Sequence, residues 1–354
     1  MTYAPVLERV RDFASGAAVC VAGVDLGARA IKVAIAKRRG TRRTIVAAAR
    51  IVSPPNAEGG PRAATDPVRQ AALLGQWMRH WCAFRVDAVV CSLPSTFTDY
   101  EAIDSDQGSP PCRGADEGLE QVLGPAAADA TGDYWRTHPN SGGAPTTHLV
   151  WAGSAIAHAV PREFARWGLA CRVLEAAPSA IAAVGQTKGD QSRLVVDLGD
   201  ESAICVLVEH GQAVYVRPRV SLPTRGAVDQ LAGTLRISRP AAETVLSEWG
   251  CDEAQGKLAR QVQTHLDGWL RALLFEVERT IVYLTHREDG APLEEIVLCG
   301  GGSAIRGVGA WLEARLGVPT RVAESPAGAR WSAAEPYSPM FAQATALALR
   351  EDLI

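Results

Sequence analysis

The chain reads as an α/β protein of two related lobes around a nucleotide cleft, and three observations predict it. A short apolar run ending in Asp-Leu-Gly occurs twice, as Val24-Asp25-Leu26-Gly27 and as Val196-Asp197-Leu198-Gly199. Each copy opens a strand meander that gives way to helix, strand and helix. Late in the chain, Gly300-Gly301-Gly302-Ser303 stands between an apolar strand and a helix. The duplication suggests two facing lobes, each offering a carboxylate and a bare backbone turn to a ligand between them.

The first elements follow from residue pattern. Residues 1–18 read as a short N-terminal arm. Strands are expected at 20–26, 31–36 and 44–49, joined by tight turns into a meander. Residues 53–65 are rich in Pro, Gly and Ala and read as a loop. Asp66-Pro67 is a helix start, with Asp as N-cap and Pro in the first turn. Leu73, Leu74, Trp77, Trp81 and Phe84 continue that helix at helical intervals. Asp87 to Leu93 is a buried strand ending at Pro94. Residues 101–147 are the least regular part, with one short helix at 115–123. A strand at 148–153, a helix at 155–168, a strand at 171–174 and a small-residue helix at 178–184 follow.

The second lobe repeats the plan. Strands at 193–198, 202–208 and 212–217 form another meander. Helices are expected at about 224–234, 239–249 and 252–286, the last carrying Leu266, Trp269, Leu270, Leu273, Val277, Ile281 and Leu284 on one broad face. A strand at 295–299, the glycine turn, a helix through 315, a strand at 318–322 and a last helix at 340–350 complete it. The domain reading is therefore an arm at 1–18, a first lobe at 19–188 with an inserted α+β subdomain at about 86–172, and a second lobe at 189–354.

Composition bounds the function. At 354 residues the chain has room for two domains, and its 47% hydrophobic and 21% charged content fits a soluble globular protein. A net charge of −3 argues against general nucleic-acid binding. Charge or glycine interrupts every apolar run before it reaches membrane-spanning length. The opening Met1 to Phe13 lacks the apolar core of a signal peptide, so the expected location is cytoplasmic. The eight cysteines contain no Cys-x-x-Cys pair. Cys20, Cys91, Cys205 and Cys299 fall in strands and read as reduced core thiols.

Three features suit a nucleotide. The Asp25 and Asp197 turns supply backbone N–H groups at Gly27 and Gly199, where a phosphate can approach closely. Their aspartates can hold Mg²⁺ through water. Gly300, Gly301, Gly302 and Ser303 leave bare backbone at a helix N-terminus, suited to a flat ring or a phosphate. Glu276 and Arg279, three apart on the long helix, share a face and suit a ribose and a base ring, with a plain i,i+3 ion pair as the competing reading. No Gly-x-Gly-x-x-Gly follows the first strand and no P-loop occurs. The turn Lys37 to Arg43 holds four arginines and one lysine. It is either a solvated hairpin tip or a contact for anionic headgroups or an acidic partner, each basic residue near such a surface being worth about 1 kcal/mol.

Asp25-Leu-Gly27, Asp197-Leu-Gly199 and Gly300-Gly-Gly-Ser303, in this order, resemble the two phosphate motifs and the adenosine motif of the actin-like (ribonuclease H-like) ATPase superfamily, which includes actin, FtsA and the heat-shock chaperones. Within it the chain is similar to the PilM family of type IV pilus assembly proteins. Gly23 to Val33, with Lys32 in place, resembles that family's opening; Val89 to Pro94, Gly132-Asp133-Tyr134-Trp135, Val173 to Ala180 and Glu276 to Thr280 resemble later segments. The resemblance covers roughly residues 20–350. It implies ATP or ADP with Mg²⁺, bound by Asp25, Gly27, Lys32, Asp197, Gly199, Ser202, Glu276, Arg279 and Gly300 to Ser303. It also implies a scaffold for pilus, secretion or competence assembly, peripheral at the inner face of the cytoplasmic membrane and in indirect contact with it. The implied partners are the N-terminal peptide of a PilN-like single-span inner-membrane protein, held in a groove beside the inserted subdomain, and pilus motor ATPases.

The chain departs from the family's pattern in two places. Hydroxyls that usually follow the first Asp-x-Gly are replaced by Ala28, Arg29 and Ala30. The position that orients the attacking water in hydrolytic relatives falls at Ala177, or at Glu175 in a shifted register. No catalytic residue is assigned, and hydrolysis is expected to be weak at best. A sugar-kinase-type phosphotransfer enzyme and an FtsA-like cell-division protein stay open as alternatives.

Overall fold

The computed structural model describes residues 18–52, 66–104, 114–138, 145–185, 191–251, 256–286, 292–326 and 328–350. All of the expected arm but Ala18, and the whole loop 53–65, lie outside these residues.

In chain order, β1 (Val19–Leu26), β2 (Ala30–Arg39) and β3 (Arg42–Val52) form a meander, followed by α1 (Pro67–Trp81) and β4 (Ala88–Ser92). Next come β5 (Asp99–Asp104), α2 (Ala115–Leu123), a 3₁₀ turn at Gly124–Asp129, β6 (Ala130–Thr137) and β7 (Thr146–Gly153). Then follow α3 (Ser154–Arg166), β8 (Cys171–Glu175), α4 (Ala177–Gly185), β9 (Arg193–Leu198), β10 (Ala203–Glu209) and β11 (Gln212–Val220). The chain ends with α5 (Thr224–Leu235), α6 (Arg239–Glu248), α7 (Lys257–Thr285), β12 (Glu295–Cys299), α8 (Val308–Leu316), β13 (Thr320–Val322), β14 (Ala329–Trp331) and α9 (Ala342–Ala348). Most expected elements are present within a few residues.

The chain divides into two compact units. The first draws on Met1–Leu93, Ile156–Glu175 and Glu324–Ile354. Its sheet has the order β14-β3-β2-β1-β4-β8. β1 pairs antiparallel with β2 and parallel with β4, and β4 pairs parallel with β8. The central strand β1 reads VCVAGVDL and is almost wholly buried, as expected of a strand covered on both faces. α1 starts where its cap directs: Asp66 accepts a hydrogen bond from the Val68 N–H at 2.9 Å, and Pro67 needs no partner for a missing N–H.

The second unit draws on Pro94–Ala155 and Ala176–Ala323. Its main sheet, β11-β10-β9-β12-β13, repeats the first: β9 pairs antiparallel with β10 and parallel with β12, which pairs parallel with β13. Leu266, Trp269, Leu270, Leu273, Val277 and Leu284 of α7 lie in the core of this unit, as the helical spacing predicts.

Three placements differ from the sequence reading. The segment 101–147 supplies most of β5 and all of β6 to a three-stranded antiparallel sheet, β5-β7-β6, beside the expected α2. Its outer strands, DYEAID and ATGDYWRT, carry acids, Ala and Gly, which mask their β character. They are specified by pairing with β7 rather than by their own composition. The sheet joins the rest of its unit through the Trp135 indole N–H, which donates to the Ala213 carbonyl at 2.7 Å, and through Arg219, which pairs with Asp99 at 2.6 Å. Secondly, β4 is an interior strand and β8 an edge strand of the first sheet, although the sequence placed 86–172 in an insertion. Thirdly, the C-terminal segment, expected to pack on the second lobe, supplies β14 and α9 to the first unit.

The reason for the third difference is a strip of small residues. Ala344 and Ala348 of α9 pack against Ala34, Ala36 and Ile45. Under them sits Gly23, where an added Cβ would lie 1.9 Å from the Ala344 carbonyl oxygen and 2.4 Å from the Ala348 nitrogen. The helix backbone rests directly on β1, and only glycine permits it. Arg38 locks the helix end from below, buried at 5% exposure and donating to the carbonyls of Ala348 and Arg350. Because backbone cannot yield as a side-chain tip can, Gly23→Ala is expected to destabilise the chain by about 3 kcal/mol or more, at or beyond the upper end of overpacking costs. Urea unfolding of the variant measures this, and an unchanged midpoint would show that α9 does not rest on Gly23.

Candidate functional site

The first Asp-Leu-Gly turn closes β1 onto β2. Register places Asp25 opposite Lys32 on one side and Ser92 on the other. The Lys32 ammonium donates to Asp25 Oδ2 at 2.8 Å, with both side chains largely covered. The Gly27 carbonyl accepts from Gln70 Nε2 at 2.8 Å, so α1 holds the turn from outside. A Cβ at Gly27 would meet Lys32 Nζ at 2.4 Å. Glycine here leaves space for the lysine to reach the aspartate. Ala28 and Arg29 are half-buried and Ala30 is buried.

The second turn closes β9 onto β10. The Gly199 N–H donates to the Ser202 carbonyl at 3.1 Å, and the Gly199 carbonyl accepts from the Thr224 N–H at 3.2 Å. Asp197 stands opposite Ile204 in β10 and Cys299 in β12. At the end of β12 the chain turns at Gly300, whose φ of +82° lies in the left-handed region. A Cβ there would sit 2.1 Å from Asp197 Oδ1. Backbone of the glycine turn therefore lies against the carboxylate of the second Asp-Leu-Gly. Gly301 is exposed, while Gly302 is buried close to Leu198 and the Thr224 hydroxyl. The Ser303 hydroxyl donates to the Gly300 carbonyl at 2.7 Å, so it fastens the turn.

The acids after the second turn are committed to arginines. Arg225 donates to Asp200 at 3.0 Å and also to Glu201. Arg239 donates to Asp200 and Asp229, and reaches Glu243 at 3.4 Å. Burial pulls the Arg225 guanidinium down, but the hydrogen bonds it donates to Asp200 and Glu201 outweigh this and hold it above the ordinary arginine value. The network ties the β9–β10 turn to the starts of α5 and α6. It fixes backbone that the phosphate reading needs in place.

The two residues expected to clamp a ribose and a base have different surroundings. Glu276 is half-buried and ion-paired with Arg217 of β11, which also donates to the Glu276 carbonyl at 3.2 Å and to Thr280 Oγ1 at 3.0 Å. Arg279 is exposed. Neither spacing nor helix periodicity could reveal Arg217, which arrives from a strand some sixty residues earlier. Cys205 lies beside this group, and burial pushes its thiol up to about 11 despite the pull of Arg217, so it is protonated and inert at neutral pH.

Thr224 escaped the sequence reading. It is 7% exposed, it opens α5, and its Oγ1 has no hydrogen-bond partner among the described residues. A buried hydroxyl left this way normally answers to a ligand or water. Its neighbours Gly199 and Gly302 both belong to the expected motifs, which is the signal that could have found it. No cluster of three or more His, Cys, Asp or Glu side chains forms a metal site among the described residues. Magnesium held by one carboxylate, water and phosphate needs none.

Two repeats of an antiparallel meander joined to parallel strands, each with an aspartate at the end of its central strand, define the actin-like ATPase fold. The chain is similar to a solved chain of the "PilM-PilN type IV pilus biogenesis complex", with a TM-score of 0.70, 22% identity, and coverage of 94% of this chain and 97% of that one. It is also similar to the ethanolamine utilization protein EutJ from Carboxydothermus hydrogenoformans, with a TM-score of 0.51, 14% identity, and coverage of 93% and 89%. No family model and no curated protein matches the sequence.

The Arg217–Glu276 pair is open to a direct check. Removing either charge strands its partner in a mostly covered site, so Arg217→Met and Glu276→Gln should each cost about 3 kcal/mol. The double variant should cost less than the two singles together, with a coupling of at least about 1 kcal/mol in urea unfolding. Strict additivity would mean that the ion pair is not formed.

Proposed function

We propose that this chain is a nucleotide-binding scaffold for assembly of a type IV pilus or a related secretion or competence apparatus. Its partner is the N-terminal cytoplasmic peptide of a PilN-like inner-membrane protein. The observation that carries the partner is the similarity in fold, over nearly the full length of both chains, to a PilM–PilN complex. No helix among the described residues is long and apolar enough to cross a membrane, and we place the chain at the cytoplasmic face, held there through its partner.

The nucleotide reading rests on the second unit. Gly300 and Gly302 bring bare backbone against the Asp197 carboxylate and the Thr224 hydroxyl, where a Cβ would collide with each. Backbone N–H groups at a glycine turn and a polar hydroxyl suit a phosphate or a ribose. ATP or ADP would be held by Gly199, Ser202, Gly300, Gly301, Gly302 and Thr224, with Asp197 directed to Mg²⁺ through water. Asp25, Gly27 and Lys32 are the contribution proposed for the first turn. A bound nucleotide supplies a phosphate chain whose presence or loss biases conformation.

Turnover is proposed to be slow. Ala28 and Ala30 offer no hydroxyl to a phosphate. Ala177 is buried at the start of α4 and carries no base, and the Glu175 carboxylate is engaged by Arg350. General-base assistance typically contributes ~10²–10⁴-fold. Without it, the nucleotide acts as a ligand that tunes peptide affinity, and the coupling runs both ways.

Asp197→Ala is expected to weaken ATP–Mg²⁺ binding about tenfold or more by calorimetry while the melting temperature of the apo protein stays within a few degrees. Unchanged affinity would sink the assignment of Asp197. A pull-down with synthetic N-terminal peptides of PilN-like proteins, with and without ATP–Mg²⁺, addresses the partner. Retention of a peptide that shifts with nucleotide is the expected outcome; no retention under either condition counts against the scaffold reading, as would rapid phosphoryl transfer to a sugar panel.

A further inference from the structure

The first unit carries a second surface, away from its Asp-Leu-Gly turn. α1 buries Gln70, Ala71, Leu74, Gly75 and Met78 on its inner face. Its outer face lines a shallow groove with Leu73, Gln76, Trp77, His80 and Trp81. Leu73, Trp77 and Trp81 are four residues apart and form a second apolar stripe. Trp81 is 78% exposed, and Phe84 in the following loop is 37% exposed. An indole left this open at a helix end has no role in the core.

Charge surrounds the stripe. From Pro67 to Val86 the sequence contains Arg69, Arg79, His80 and Arg85 and no acid. Arg79 and Arg85 are exposed. The tip of the β2–β3 hairpin adds exposed Lys37, Arg39 and Arg42. Arg38 does not belong to this group, because it turns inward to α9. The hairpin and the loop after Trp81 lie at the same end of the sheet. Lys37 pairs with Cys20, and the Cys20 N–H donates to Asp87 Oδ2 at 2.8 Å. Asp87 is the one acid of that loop, and it is occupied by Cys20 and by Arg85 at 3.4 Å. β1 runs from this end to Asp25, so the basic, tryptophan-bearing end is opposite the turn.

We infer that this end of the first unit docks directly on a bilayer containing anionic phospholipid. The charge is complementary: among the described residues of the hairpin tip, of α1 and of the loop after it, five exposed cations, Lys37, Arg39, Arg42, Arg79 and Arg85, stand with one carboxylate, Asp87, which is already paired. Indoles favour the boundary between headgroups and acyl chains, and basic residues beside them add attraction to an anionic surface. A bilayer also needs no shaped pocket, which fits a groove that is shallow and built on a single helix. This contact would act alongside tethering through a protein partner, and it uses neither nucleotide nor peptide.

The test is co-sedimentation of the full chain with vesicles of phosphatidylcholine, with and without phosphatidylglycerol, in the absence of nucleotide and peptide. Binding only to the anionic vesicles is expected, falling steeply with salt. Tryptophan emission should shift to the blue and be quenched by brominated lipid. Trp77→Ser/Trp81→Ser should remove most of that quenching. Arg39→Glu/Arg42→Glu should lower the partition coefficient about tenfold or more, at roughly fivefold for each basic residue lost and more for reversal. All four side chains are wholly or partly exposed, and unchanged circular dichroism melts confirm that the variants fold. No sedimentation with anionic vesicles overturns the proposal, as does sedimentation that neither double variant weakens. Retention of an acidic peptide by the same face in place of vesicles would overturn it too. None of these readouts depends on the pilus reading, so either can fail alone.

Discussion

Each central strand of this protein is hydrogen-bonded antiparallel on one side and parallel on the other, and the site residues follow from that asymmetry. A parallel neighbour must arrive through a crossover, and its carboxyl end stops level with the carboxyl end of the central strand. In open α/β sheets such ends, where the strand order changes direction, are where ligands collect. Asp25 and Ser92 end β1 and β4; Asp197 and Cys299 end β9 and β12. The antiparallel partner then closes the same end with a tight turn, which brings Gly27 and Gly199 there. A single topological choice, made twice, delivers one aspartate and one open turn each time.

What holds the two turns differs, and the difference bears on what they can do. In the first, Lys32 neutralises Asp25 at 2.8 Å and Gln70 clamps Gly27. In the second, arginines grip the residues after the turn, Asp200 and Glu201. Asp197 faces the backbone of Gly300. The second turn is thus braced from behind, with its carboxylate against a glycine turn, while the carboxylate of the first lies against a lysine.

Much of this was legible in the sequence because it is local. The doubled Asp-Leu-Gly, the Asp66-Pro67 cap and the broad apolar face of α7 are patterns within a dozen or so residues, and burial on one or both faces enforces them. The elements that escaped are specified at a distance. β5 and β6 carry too many acids and small residues to announce themselves, and they become strands only by pairing with β7. α9 crosses to the first unit because Gly23, more than three hundred residues earlier, has no side chain to keep it off. In the candidate site the glycines were readable, since glycine between strand and helix has few purposes. Their polar company was not: Arg217 beside Glu276, Gln70 beside Gly27 and Thr224 beside Gly302 meet only through the fold.

The same separation explains how one short strand can serve two ends. β1 is eight residues long and almost wholly buried, so its length is fixed by the core and cannot be adjusted by either surface. At its carboxyl end the polar groups are paired and enclosed: Asp25 with Lys32, and Ser92 with Gln343 at 2.7 Å. At its amino end the charges stand outward, Trp81 is uncovered and Trp77 is half-buried. Packing cannot account for the second arrangement. A core rewards burial, and α1 already has a full inner face, so Trp81 gains little from the fold by lying outside it. Its placement at the same end of the sheet as Lys37, Arg39 and Arg42 suits a surface with the opposite charge and an apolar interior.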